Sequence, residues 1–148
     1  MPPRGSERSI ASAYVLDSFA VMAYLQNEPG HERVTGLLEA AANNECALYL
    51  SVVNLGEIAY HAERAGGLSR AAETMRILDE LPVSMVSVDR ELALAAAHLK
   101  AQYPMAYADC FAAALSQIRN APLVTGDPEF RKLSDGLLHV EWLPVADE

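Results

Sequence analysis

Four carboxylates stand where apolar stretches of the chain give way to turns or helix starts. Asp17 follows Ala13-Tyr14-Val15-Leu16, and Glu57 follows Leu50-Ser51 by six residues. Asp109 lies in Tyr107-Ala108-Asp109-Cys110-Phe111, and Asp127 closes Leu123-Val124-Thr125-Gly126-Asp127. In an alternating α/β domain, strand ends and the helix starts beside them share one rim, the usual place for ligands. So many like charges on one rim do not stay ionised together without a counter-ion. All-oxygen ligands select a hard cation, Mg²⁺ or Mn²⁺ in its place, and the absence of a Cys/His cluster argues against zinc. A cation held this way can activate a water and hold the oxygens of an in-line phosphoryl displacement. The chemistry implied is phosphodiester hydrolysis.

Each acid also has a plainer reading. Asp17 fits the N-cap of the helix that follows it, and Asp127 before Pro128 fits an N-cap with proline at the first helical position. Asp109 in a helix first turn gains ~0.3–1 kcal/mol from the helix dipole. Glu57 can answer Asn54 in a capping-box-like pair or meet His61 one turn later. The four histidines, His31, His61, His98 and His139, are scattered and read as surface or edge residues.

The elements that must position these acids alternate. Strands are expected at 13–16, 46–50, 83–88 and 123–125, with a last edge strand at 139–143. Helices are expected at 19–26, 31–42, 52–65, 70–81 and 90–101, and from Tyr107 onward, with a helical turn at 128–133. Asn27-Glu28-Pro29-Gly30 and Gly66-Gly67 read as helix stops, Ser69 and Asp89 as N-caps. The pattern predicts an α/β fold: one domain with a mostly parallel sheet of about four to five strands flanked by helices, an α/β/α sandwich. Residues 1–11 read as a disordered arm, and residues 12–148 as the domain.

Composition sets outer bounds. A chain of 148 residues buries roughly two thirds of its unfolded surface and needs no staple to fold. Cys46 and Cys110 read as free buried thiols. No apolar run approaches the ~18 residues of a membrane span, and the N-terminus has no apolar stretch ending in a cleavage site, so the expected location is cytoplasmic, with no membrane partner. The net charge of −9, from 20 acids against 11 Lys plus Arg, excludes the broad basic face of a duplex-binding protein. An enzyme that grips a phosphate through a bound cation is compatible with it.

Four segments carry a resemblance that spans nearly the whole chain. They are Tyr14-Val15-Leu16-Asp17-Ser18-Phe19-Ala20, Leu50-Ser51-Val52-Val53-Asn54-Leu55-Gly56-Glu57-Ile58, Tyr107 to Leu115, and Leu123-Val124-Thr125-Gly126-Asp127-Pro128-Glu129-Phe130. In this order and at these intervals the sequence resembles the PIN domain ribonucleases, in particular the VapC-type toxins of toxin–antitoxin pairs. The resemblance implies a Mg²⁺-dependent endoribonuclease with Asp17, Glu57, Asp109 and Asp127 at the metal and Ser18 and Thr125 in support. It further implies an RNA substrate, a small antitoxin laid over the acidic cleft, and a homodimer formed through helices 19–26 and 52–65. Two other readings stay open, a catalytically silent PIN-like binding module and a phosphoryl-transfer protein of the haloacid dehalogenase or receiver kind. Against the last, Asp17 is followed by Ser18-Phe19-Ala20 rather than a second acid, and the only late lysine is Lys132.

Overall fold

Strand β1 (Ala13–Leu16) runs through the middle of a five-stranded, wholly parallel sheet in the computed structural model, which describes residues 12–145. The other strands are β2 (Ala47–Ser51), β3 (Ser84–Val86), β4 (Leu123–Thr125) and β5 (Val140–Trp142), in spatial order β3-β2-β1-β4-β5. Leu16 pairs with Leu50 on one side and Val124 on the other. The expected arm at 1–11 lies outside the described residues.

Side chains alternate across a strand, and this divides the core in two. Val15 and Leu123 face a cluster with Leu92, Leu99, Phe111 and Leu115, from helices α4 (Arg90–Gln102) and α5 (Tyr107–Arg119). Leu16, Leu50 and Val124 face the opposite cluster, built with α1 (Ser18–Leu25), α2 (His31–Ala42) and α3 (Val52–Asp79). The sheet is therefore covered on both faces, as a parallel sheet of apolar strands requires.

The glycines at 66 and 67 end the first half of α3 as expected: Gly66 (φ −148°) and Gly67 (φ +78°) leave helical geometry, so Val52–Asp79 is two helices that meet at a kink. Ile58 before the break and Leu78 after it enter the same core cluster, so the two halves dock as one bent element. Two other expectations need correction. Ser69 lies inside the helical run that follows the break rather than ahead of it. Strand β3 is also shorter than 83–88, because its partner β2 ends at Ser51, which pairs with Val86.

Other local signals act as written. Asp89 caps α4 through the Leu92 N–H at 2.9 Å. Cys110 is buried, Cys46 half-buried, and both thiols are free. Arg33 of α2 pairs with Glu141 and so ties β5 to the helical layer. No helix among the described residues is long and apolar enough to cross a membrane.

Candidate metal centre

The strand order reverses at β1: β2 lies on one side of it and β4 on the other. In open α/β sheets the crevice at such a switch point, outside the carboxyl ends of the strands, is where ligands bind. Asp17 follows β1 directly, and Gly126-Asp127 follows β4. Glu57 reaches the region from the second turn of α3, and Asp109 from the first turn of α5.

Asp17 is both a cap and a buried rim group. One carboxylate oxygen accepts from the Ala20 N–H at 2.9 Å, and the other accepts from the Thr125 hydroxyl at 2.6 Å. The same hydroxyl oxygen receives the Asp127 N–H at 3.0 Å, so β1 and β4 are latched together at their ends. Gly126 makes the approach possible, because a Cβ there would come within 2.5 Å of the Phe19 ring. Asp127 caps the following 3-10 turn, Pro128–Lys132, through the Glu129 N–H at 2.9 Å. The cap readings of Asp17 and Asp127 thus hold, and neither conflicts with a place on the rim.

Glu57 accepts from the Ser18 hydroxyl at 2.8 Å and from the Asn54 amide nitrogen at 3.0 Å. The Asn54 nitrogen also donates to the Ala108 carbonyl at 3.3 Å, one residue before Asp109. Both partners are acceptors, which fixes the orientation of the amide. It leaves the Asn54 Oδ1, on a fully buried side chain, with no partner among the described residues. Replacing Asn54 by alanine is expected to cost about 1–2 kcal/mol, because two hydrogen bonds joining α3 to Glu57 and α5 disappear. Denaturant unfolding measures this, and an unchanged midpoint would show that Asn54 holds neither.

Asp109 sits where eight consecutive residues of α5, Asp109 to Ser116, are buried. Burial is the main reason its carboxyl is pushed up to about 7, and the charges of Asp127, Glu57 and Glu129 add to it. Asp17 is likewise pushed up to about 7, first by burial, then against the lowering hydrogen bonds from Thr125 and Ala20, with further repulsion from Asp109 and Asp127. The four acids therefore act on one another electrically. They are not gathered into a ready-made cage: among the described residues no three His, Cys, Asp or Glu side chains form a group placed to hold an ion. Asp17 instead engages both of its oxygens with protein donors, whereas Glu57 engages only Oε1. A hard cation fits the donor chemistry, which is all oxygen, with two buried carboxyls raised further by the charges of neighbouring acids.

Two features escaped the sequence. Glu129 adds a fifth charge that Asp109 feels, and its spacing two residues after Asp127 was the available signal. Asn54 was visible only as a capping partner, whereas it also reaches Ala108 on another helix.

The PIN domain family model matches residues 14–136, and the chain belongs to that family. No curated protein matches it in sequence. Among solved structures it is similar to VapBC2 from Rickettsia felis bound to a promoter DNA fragment, at 17% identity and a TM-score of 0.70, covering 87% of this chain and 97% of that one. VapBC-1 from nontypeable Haemophilus influenzae gives 23% identity, a TM-score of 0.65, and coverage of 88% and 97%. The sarcin–ricin-loop-cleaving toxin VapC20 from Mycobacterium tuberculosis gives 15% identity, a TM-score of 0.64, and coverage of 80% and 92%. The chain has the fold of the VapC-type PIN domain proteins.

Proposed function

We propose that this protein is a metal-dependent endoribonuclease and the toxin of a toxin–antitoxin pair. The observation that carries the reading is the rim at the β1/β4 switch point, where Asp17 and Asp109 are both raised by burial and by neighbouring acids. Asp17, Glu57, Asp109 and Asp127 would hold Mg²⁺ or Mn²⁺, which when bound supplies an activated water and charge to offset the phosphate. Ser18 and Thr125 orient Glu57 and Asp17 through the hydrogen bonds described above. Asn54 fixes the spacing between Glu57 and the start of α5. The burial of Asp17 and Asp109 keeps competing water away from two of the four acids.

The partners follow from the same reading. The solved relatives include VapBC pairs, which supports a small antitoxin over the acidic rim. A cation-bearing side chain of such a partner would meet the carboxylates that otherwise meet the metal. A cavity of about 230 Å³ between α1 and α3, lined by Met22, Leu25, Ile58 and Ala62 among others, supports the α1 and α3 surface as the place where a second copy docks.

Metal-stripped protein is expected to leave single-stranded RNA intact in chelator and to cleave it on addition of Mg²⁺ or Mn²⁺. Gel analysis of RNA under both conditions checks this. Full cleavage in chelator would remove the metal from the reaction. Host growth that is unaffected by expression of the chain alone would remove the toxin role while leaving the nuclease.

A further inference from the structure

Beside the acids lies a second chemical environment that they do not use. A cavity of about 480 Å³ opens between the start of α1, the end of β4 and β5, with Phe19, Gly126, Arg131, Trp142 and Leu143 in its wall. That volume lies in the roughly 300–1,000 Å³ range of small-ligand sites. Its walls continue the acid rim directly. Phe19 follows Ser18, which holds Glu57, and Gly126 stands between Thr125, which holds Asp17, and Asp127.

The chemistry of this wall differs from that of the rim. The Arg131 guanidinium carbon lies 4.0 Å from the centre of the Trp142 ring. Arg131 is exposed and makes no ion pair among the described residues, whereas its neighbour Lys132 is taken up by Glu129 at 2.9 Å. In a chain of net charge −9, Arg131 is thus an uncommitted cation stacked on an indole, four residues after Asp127. Planar guanidinium and aromatic groups are the surfaces on which unpaired bases stack, and an arginine there also meets phosphate. Glu28, the one carboxylate lining the cavity, offers an acceptor suited to base N–H donors and repels phosphate, whereas Arg131 on the same wall attracts it.

We propose that this cavity is a nucleotide subsite, in which Arg131 and Trp142 receive one unpaired base of the RNA next to the acid rim. The proposal rests on the ribonuclease reading for the identity of the ligand but not for its test. Trp142 is the only tryptophan in the chain, so its fluorescence reports on the subsite with or without catalysis.

A short unstructured RNA oligonucleotide, titrated into the full chain in chelator at low salt, is expected to quench Trp142 saturably. Arg131→Gln should weaken that binding by about tenfold, toward the low end of the range for losing one stacking contact. In the Mg²⁺ cleavage assay the same change should raise KM by about tenfold and leave kcat within about twofold. Arg119→Gln removes the guanidinium stacked 4.3 Å from Tyr49, far from the cavity wall, and should change neither. Trp142→Phe, which carries no tryptophan to report binding, should keep KM within about twofold of the parent, and Trp142→Leu should raise KM as Arg131→Gln does; thermal melting checks that each variant is folded. Cleavage by the parent without quenching, or with KM unchanged in Arg131→Gln, would overturn the subsite and spare the nuclease. Quenching that depends on Arg131 without any cleavage would support the subsite and overturn the nuclease. Neither quenching nor cleavage would overturn both.

Discussion

Asp17→Asn and Asp109→Asn are each expected to lower kcat for RNA cleavage by about a hundredfold or more at saturating Mg²⁺. Asparagine is the informative replacement at 17, since it caps a helix about as well as aspartate. It keeps the Ala20 N–H satisfied while removing the charge. At 109 no cap exists to be lost, because α5 has no side-chain cap bond and Asp109 lies inside its first turn. A fall in rate at either position thus reports the loss of a charged oxygen at the rim, not the loss of a helix start. Single-turnover cleavage measures it, and near-parental rates for Asp109→Asn would move the site elsewhere.

The second large effect is on stability. Both carboxyls stand at about 7 in the folded chain against 3.8 for an ordinary aspartate. Between those values the folded chain holds protons that the unfolded chain has released. Metal-free stability therefore falls as pH rises from about 4 to about 7 and levels off above that, by a few kcal/mol for the pair. At about pH 8 in chelator, Asp17→Asn and Asp109→Asn are expected to melt several degrees above the parent. Near pH 5 the parent's own carboxyls carry protons and the advantage shrinks. Added Mg²⁺ binds the ionised acids, so it should raise the Tm of the parent more than that of either variant, and more at high pH than at low. Variants that melt lower in chelator and respond to metal like the parent would mean that these acids are only caps or dipole partners.

Much of this frame is legible in the sequence because its signals are local. Ala13-Tyr14-Val15-Leu16 and Leu123-Val124-Thr125 are short apolar runs that end at polar or acidic residues, and they became β1 and β4, adjacent and parallel. The apolar run around Asp109 marked a helix whose middle, Asp109 to Ser116, is buried on every side. What stayed hidden depends on tertiary contact. Gly66-Gly67 read correctly as a helix stop, but that the helices on either side share one core, through Ile58 and Leu78, is set by tertiary contact. Asn54 looks like a polar helix residue until α5 brings the Ala108 carbonyl to it. Arg131 and Trp142 lie in separate elements, and only the return of β5 alongside β4 stacks them.

Direct Mn²⁺ binding, followed by the loss of the free-ion electron paramagnetic resonance signal, tests the shared rim without requiring RNA or turnover. The parent is expected to bind Mn²⁺ saturably near neutral pH, to release it as the pH falls well below about 7, and to bind far more weakly as Asp17→Asn, Glu57→Gln or Asp109→Asn. Equal binding by the parent and all three folded variants would contradict a metal centre at the β1/β4 switch point.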